Sequence, residues 1–160
     1  MKRQGGFTLI EMVVVIVILG ILAVTAAPRF LNLQDDARNS ALQGLKGAIN
    51  GAAGITYGKA AVEGKEQDEG STLTIDGETV NIAYGYPKAD SLDKVVQGLA
   101  DSEEWKAVSA ATPTQGTTIA YTLKDYSVPT GGATKCYVEY VQATGTTTDK
   151  VAKVTVKDCK

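Results

Sequence analysis

Few side chains in this sequence have the types and spacing that catalysis requires. The chain has no histidine, which removes the commonest general base, the usual catalytic triad and most zinc sites. Asp35 and Asp36 are a tempting carboxylate pair, but adjacent helix positions point in different directions. The sequence shows no nucleophile–base pair, phosphate-binding glycine loop or metal-ligand cluster. We therefore predict that the protein is not an enzyme and holds no metal or cofactor.

Acidic groups gather in a glycine-bounded stretch from Glu63 to Gly70. Carboxylates can bind calcium, but the EF-hand spacing is absent, so we predict a solvated loop. The net charge of the chain is −2, which gives no support for nucleic-acid binding.

One further carboxylate, Glu11, lies in an otherwise uncharged apolar run from Phe7 to Ala27. As a helix, this run of about 21 residues rises roughly 30 Å, the thickness of a hydrocarbon core. Lys2 and Arg3 precede it, so the positive-inside rule places the N-terminus in the cytoplasm. A plain single-pass anchor and a signal peptide are the alternatives. The run is long for a signal peptide, and Pro28 follows it where a small-residue cleavage site would stand.

The sequence around Glu11 resembles the type IV pilins. A short basic leader ends in Gly5-Gly6, and Phe7-Thr8-Leu9-Ile10-Glu11 follows, which is the cleavage and methylation signal of that family. Met12 stands where leucine is commoner. The resemblance continues to Gln34, covers roughly the first third of the chain, and is greatest to the mannose-sensitive haemagglutinin pilins.

The resemblance implies roles for three residues. A membrane peptidase would cut between Gly6 and Phe7 and methylate the new amino group of Phe7. Glu11 would then neutralise the Phe7 amine of a neighbouring subunit during filament assembly, since the two charges cost less together than apart in a low dielectric. The alternatives are a partner for Glu11 within its own subunit, or a carboxylate tolerated at the interfacial end of the span.

The partners and location also follow from the resemblance. It implies a homopolymeric filament that is built by the prepilin peptidase and the pilus assembly machinery. The precursor would lie in the inner membrane of a Gram-negative bacterium, and the pilus would be extracellular, attaching to host or abiotic surfaces and forming biofilm, with surface glycans as further ligands. A minor pilin or a type II secretion pseudopilin is the alternative. Major pseudopilins tend to carry a calcium site and to lack the C-terminal cysteine pair.

The expected architecture is α+β, the type IV pilin fold, with a long N-terminal helix packed on an antiparallel sheet. We predict a leader at 1–6, an apolar helix at 7–27, its amphipathic continuation at 28–62 and a globular head at 63–160. Pro28 should kink the helix without ending it.

The second half of the helix carries several stripes. We predict that its main apolar face follows steps of three and four residues, through Phe30, Leu33, Ala37, Ala41, Leu45, Ala48, Ala52 and Ile55. A glycine stripe runs beside it at Gly44, Gly47, Gly51, Gly54 and Gly58. Such a ridge favours close backbone packing, on the protein's own sheet before another subunit, unless the helix end is loosely formed. Leu31, Leu42 and Ile49 form a third set across from the stripe.

Turn and capping signals divide the head. Asp76-Gly77 predicts a β-hairpin. Asp90-Ser91 predicts a short helix to Leu99, and Asp101 with Glu104 predicts another around Trp105. Trp105 should pack in the core, with an exposed sugar-stacking ring as the alternative.

The two cysteines of the chain, Cys136 and Cys159, lie in a domain placed outside the cytoplasm, where disulfides persist. The resemblance adds that a C-terminal disulfide is a family feature, so we predict this bond. If the last two strands pair with Cys136 opposite Cys159, then Val141 lies opposite Val154 and Tyr140 opposite Thr155. That register puts Tyr140 on the solvent face and Tyr137 and Val141 in the core. In the alternative, the last strand pairs elsewhere and the disulfide holds a loose tail.

Overall fold

The computed structural model describes residues 6–99, 103–109 and 117–160, and over 27–32 it describes the backbone alone. The chain divides into two compact units, residues 1–37 and 38–160. Helix α1 spans Leu9–Val62 and is continuous in its backbone through Pro28. The predicted helix is therefore confirmed, while the kink stays a prediction. Lys2, Arg3, Gly5 and Asp101 lie outside the described residues.

The first unit exposes an apolar stretch of α1. The stretch Leu9–Ala26 is 18 residues long, and none of its side chains is buried. By length and composition this stretch can cross a membrane, although a signal sequence meets the same criterion.

The second unit holds two antiparallel sheets, which confirms the predicted α+β class. Strands β1 (Ser71–Ile75), β2 (Glu78–Ala83) and β3 (Tyr86–Pro87) form a three-stranded sheet in that order. A 3₁₀ turn, Ala89–Ser91, and the short helix α2, Leu92–Val95, follow. The second sheet has four strands in the order β4 (Trp105–Val108), β5 (Thr118–Leu123), β6 (Tyr137–Val141) and β7 (Lys153–Lys157).

One face of α1 packs into the core of this unit. Its buried residues repeat every three or four positions, at Leu42, Leu45, Ile49, Ala53, Thr56 and Ala60. The first three contact a cluster that includes Leu92, Tyr121, Val138 and Tyr140, whereas Ala60 contacts Leu73, Val80 and Ile82 of the three-stranded sheet. Residues 42–60 of the helix are thus packed against both sheets.

This buried face differs from the predicted one. Ile55 and Leu33, both assigned to the main apolar face, are 72% and 63% exposed. Leu45 of the predicted face is buried, together with Leu42 and Ile49 from the set across from the glycine stripe. The prediction is wrong at Leu33 and Ile55 because it extended the packed face on periodicity alone.

The glycine stripe does not pack on the protein's own sheet, so that prediction is wrong. All five glycines are exposed, and a Cβ built on any of them would meet no atom within 4 Å. Gly58 follows Ile49 by nine residues, which is about half a turn around the axis at roughly 100° per residue. The stripe therefore lies on the side of α1 opposite to its buried face.

The first hairpin is confirmed. Ile75 pairs with Glu78, and Asp76 and Gly77 form the two-residue turn with φ of 52° and 86°. Both angles are positive, as a type I′ turn requires. Helix α2 is shorter than the predicted helix to Leu99.

The helix predicted around Trp105 is wrong. Trp105 begins β4 and pairs with Leu123 of β5, because the backbone pairing available beside β5 outweighs the local capping signal. Its ring is partly buried against the first core cluster, which agrees with the predicted core position.

The last two strands pair as predicted, but their register is wrong by one residue. Tyr140 lies opposite Val154 and Val141 opposite Lys153. Tyr140 is fully buried, whereas the prediction placed it in solvent. Regular alternation ends at Lys157, since Cys136 adopts φ of 62° and its N–H donates to Asp158 O over 3.0 Å. Cys136 and Cys159 are therefore not directly opposite each other in the regular ladder. A register that assumes they are opposite shifts every predicted residue pair by one position.

Candidate functional site

The start of α1 is a reciprocal cap made by Thr8 and Glu11. The backbone N–H and the hydroxyl of Thr8 donate to Glu11 Oε2 over 2.7 and 2.6 Å. In return, the N–H of Glu11 donates to Thr8 Oγ1 over 3.3 Å. This is a capping box, which satisfies N–H groups that have no partner inside the helix.

Thr8 is a residue that the sequence analysis missed as a partner of Glu11. Its signal was present, since Thr-x-x-Glu directly before an apolar run is the usual mark of a capping box. The structure thus gives Glu11 a partner within its own subunit, which is one of the alternatives raised above. Phe7 is exposed and directly precedes this cap, so Gly6, Phe7 and Glu11 lie within one short segment.

The predicted disulfide between Cys136 and Cys159 is present. The two Cα atoms are 4.0 Å apart and both residues are buried. Asn39 of α1 contributes to the same place, because its Oδ1 accepts the N–H of Cys159 over 2.8 Å. The bond therefore joins the start of β6 to a segment that is also tied to the helix.

Buried hydroxyls fix the strands beside this disulfide. Tyr140 donates to Pro87 O over 2.6 Å, and Thr122 Oγ1 donates to Cys136 O. Burial raises the pKa of Tyr121 to about 12, with a smaller contribution from the carboxylate of Asp93. Burial likewise raises the pKa of Tyr140. These groups are structural at neutral pH, when both phenols are protonated.

The carboxylates singled out in the sequence lie in different surroundings. Asp36 is exposed and Asp35 is half-buried. Glu63 accepts a bond from Lys65 Nζ over 2.8 Å, which lowers the pKa of its carboxyl group. Within residues 6–99, 103–109 and 117–160, no group of three or more acidic or cysteine side chains is placed to hold a metal ion.

Comparison with known proteins gives a family-model match and two relatives, each of which covers part of the chain. Residues 1–27 match the model of the prokaryotic N-terminal methylation motif. The major component PilA5 of the type IV narrow pilus of Thermus thermophilus is 43% identical over 63 residues, which cover 39% of this chain and 51% of the relative. The type II secretion system core protein G of Pseudomonas aeruginosa is 46% identical over 43 residues, which cover 27% of this chain and 30% of the relative. No solved structure matches significantly.

The matched segments thus span about half, or less, of the relatives' own length. They are similar to a pilin and to a secretion protein alike, and they leave the mannose-sensitive haemagglutinin subtype a prediction. The methylation motif and these two relatives, together with the α+β fold and its C-terminal disulfide, support a type IV pilin in the broad sense that includes the pseudopilins.

Proposed function

We propose that this chain is the structural subunit of a type IV pilus, which polymerises through α1 into an extracellular filament. The observation that carries the proposal is the apolar stretch Leu9–Ala26, in which no side chain is buried within the protein's own fold. An exposed stretch of 18 residues in which Glu11 is the one charge is unfavourable in water, so it needs a bilayer before assembly and other subunits after it.

The exposed glycine stripe supports the same function. Glycines on a helix face let another helix approach closely, and a Cβ on any of these five would meet no described atom within 4 Å. Each glycine costs about 1 kcal/mol of helix stability relative to alanine, which a contact with a neighbouring subunit would offset.

Processing is the first step of the proposed pathway. The peptidase cuts between Gly6 and Phe7 and methylates the Phe7 amine, while the precursor lies in the inner membrane of a Gram-negative bacterium. The pilus assembly machinery then moves the mature subunit into the filament, and Glu11 pairs with the Phe7 amine of the next subunit. Attachment to host or abiotic surfaces, biofilm formation and contact with surface glycans are the roles that the resemblance implies for the filament.

Mass spectrometry of filaments sheared from cells tests this proposal. We expect a mature chain that begins at methylated Phe7. A chain that begins at Met1, or beyond Ala27, would contradict it.

The variant Gly6→Val should abolish cleavage, because the peptidase has to bring its own backbone close to a residue without a side chain. The matched control is Gly20→Val, the same change within α1 at a site with no neighbouring atom, and it should be processed normally. Mature-length protein from Gly6→Val would place the cut elsewhere.

A pseudopilin of a type II secretion system is the second candidate, and the match to core protein G favours it. The disulfide between Cys136 and Cys159 favours the pilus, because major pseudopilins tend to lack this pair. Deleting the protein separates the two functions: loss of surface filaments supports the pilus, whereas loss of secreted enzymes with filaments intact supports the pseudopilin.

A further inference from the structure

A small pocket in the second unit has aromatic walls and one carboxylate. Its volume is about 50 Å³. Tyr57 comes from α1, Glu66 from the loop after it, Tyr84 from the turn between β2 and β3, Tyr86 from the start of β3, and Thr146 from the loop between β6 and β7. Several parts of the fold therefore meet at this pocket.

The walls of the pocket are held firmly. The rings of Tyr57 and Tyr86 lie 5.0 Å apart between centroids. Glycine is required at position 85, between Tyr84 and Tyr86, because a Cβ there would come within 2.7 Å of the Tyr57 ring. Tyr84 has a φ of 50°, which is uncommon for a large residue, and its N–H donates to Asp68 O over 2.7 Å. The turn is thus fixed against the acidic loop.

One carboxylate oxygen of Glu66 has no hydrogen-bond donor in this pocket. Its Oε2 is shielded from solvent, and no donor among the described residues reaches it. The neighbouring Lys65 is engaged elsewhere, since its Nζ donates to Glu63 Oε2 and to Thr72 O over 2.8 and 2.9 Å. A shielded carboxylate oxygen without a donor is unfavourable, so this site is poised to accept a hydrogen bond from a cation.

We propose that this pocket binds a primary ammonium head group, with Glu66 as its charge partner and the tyrosine rings as its walls. Aromatic faces attract ammonium and guanidinium groups, and a carboxylate accepts a charge-assisted N–H bond. The volume holds roughly three to five water-sized groups, which suits –NH₃⁺ with its first methylenes. Calcium is a poor fit because it takes six to eight oxygen ligands.

Two sources present this chemistry: the lysine side chain of another protein molecule, or a small free amine. Lys150 of the same chain lies near the rim, because its Cδ would be 2.8 Å from a Cβ on Gly145, another pocket residue. The experiment therefore has to separate an external ammonium group from Lys150.

A titration of the full-length chain in detergent micelles tests the site. Methylammonium chloride is the probe, and the ¹³C resonances of the tyrosine rings are the readout, with sodium and potassium chloride at equal ionic strength for comparison. We expect saturable shifts for resonances that Tyr57→Phe and Tyr86→Phe identify. Equal shifts with either metal salt, or none with methylammonium, would overturn the proposal.

The matched variants are Glu66→Gln and Glu69→Gln, which remove the same charge from the same loop. Glu69 is exposed. Glu66→Gln should weaken methylammonium binding at least about tenfold, since a charge-assisted bond is lost, whereas Glu69→Gln should leave it unchanged. Unaltered tyrosine resonances in the absence of probe confirm that the Glu66→Gln variant is folded, and unchanged affinity in that variant would refute the assignment.

Carbodiimide coupling followed by peptide mass spectrometry identifies the source. A cross-link from Glu66 to a lysine of another protein molecule, with both proteins at their natural cellular levels, supports a protein ligand. Coupling of Glu66 to added methylammonium alone supports a free amine. A link to Lys150 within one chain would show that the protein fills its own pocket and would overturn the proposal.

Discussion

Helix α1 contains two apolar regions that differ in how their side chains are used. From Leu9 to Ala26 the helix is apolar on all sides, and none of its residues is buried in the fold. From Leu42 to Ala60 the buried side chains follow one stripe, which packs on the two sheets. A helix that is apolar all round needs surroundings beyond its own chain, whereas a striped helix can be covered by its own domain.

The glycine stripe adds a third kind of surface to this comparison. It belongs to the part of α1 that packs on the sheets, but a Cβ on any of its glycines would meet no atom of the described residues within 4 Å. This part of the helix thus has one face packed on the sheets and one face with room for another molecule. Helix α1 therefore has surfaces that stabilise the monomer and other surfaces that are exposed in the monomer.

The largest effect is expected at the start of the helix, where Glu11→Val should leave the subunit processed and inserted but reduce surface filaments at least about tenfold. An amine that loses its buried charge partner costs about 3–5 kcal/mol, more than a tenfold effect requires. Electron microscopy and immunoblots of sheared and membrane fractions measure both quantities.

The matched control for that variant is Glu11→Gln, which can keep the cap on Thr8 but not the charge. If charge pairing governs assembly, Glu11→Gln should fail as Glu11→Val does. Normal filaments from Glu11→Gln would assign Glu11 to capping alone, and normal filaments from both variants would remove the residue from assembly altogether.

The next largest effect is expected where α1 meets the sheets. Ile49→Ala should lower the free energy of unfolding of the head by about 2–5 kcal/mol, because it leaves a cavity in a packed core. Ile49 is fully buried and Ile55 is 72% exposed, so Ile55→Ala should change that free energy by less than about 0.5 kcal/mol. Urea unfolding followed by Trp105 fluorescence measures both, and equal losses would mean that the buried face is wrongly placed.

The smallest effect, and the one that separates the two kinds of surface most directly, is expected from Gly51→Ala. With no atom near its Cβ, alanine should stabilise the monomer by about 1 kcal/mol through helix propensity. If the stripe contacts another subunit, the same change should reduce the number of filaments. A more stable monomer with undiminished filaments would show that the stripe is not a contact surface.

Elements with local signals were predictable from the sequence. The extent of α1, the turn at Asp76-Gly77 and the pairing of β6 with β7 follow from periodicity and turn chemistry, and the structure confirms them. The cap made by Thr8 and Glu11 is equally local, because its two residues are three positions apart.

Features that depend on distant parts of the chain were not predictable in the same way. The strand at Trp105 forms because β5 offers a partner, and the helix face that packs is selected by the sheets. The register of β6 and β7 depends on Cys136 leaving the regular strand conformation and on Asn39 holding Cys159. A periodic pattern contains no information on any of these contacts.

The disulfide has a mechanical consequence for a subunit under tension. Cys136 and Cys159 are 23 residues apart in the chain but 4.0 Å apart at their Cα atoms. If pulling detached β6 and β7, the segment between them would remain a closed ring, and the load would pass through the sulfur atoms. At about 3.4 Å per extended residue, the disulfide would prevent roughly 80 Å of chain extension. The oxidised protein is therefore shorter when stretched than the reduced one. The redox state of the two sulfur atoms sets the maximum extension of a subunit under tension.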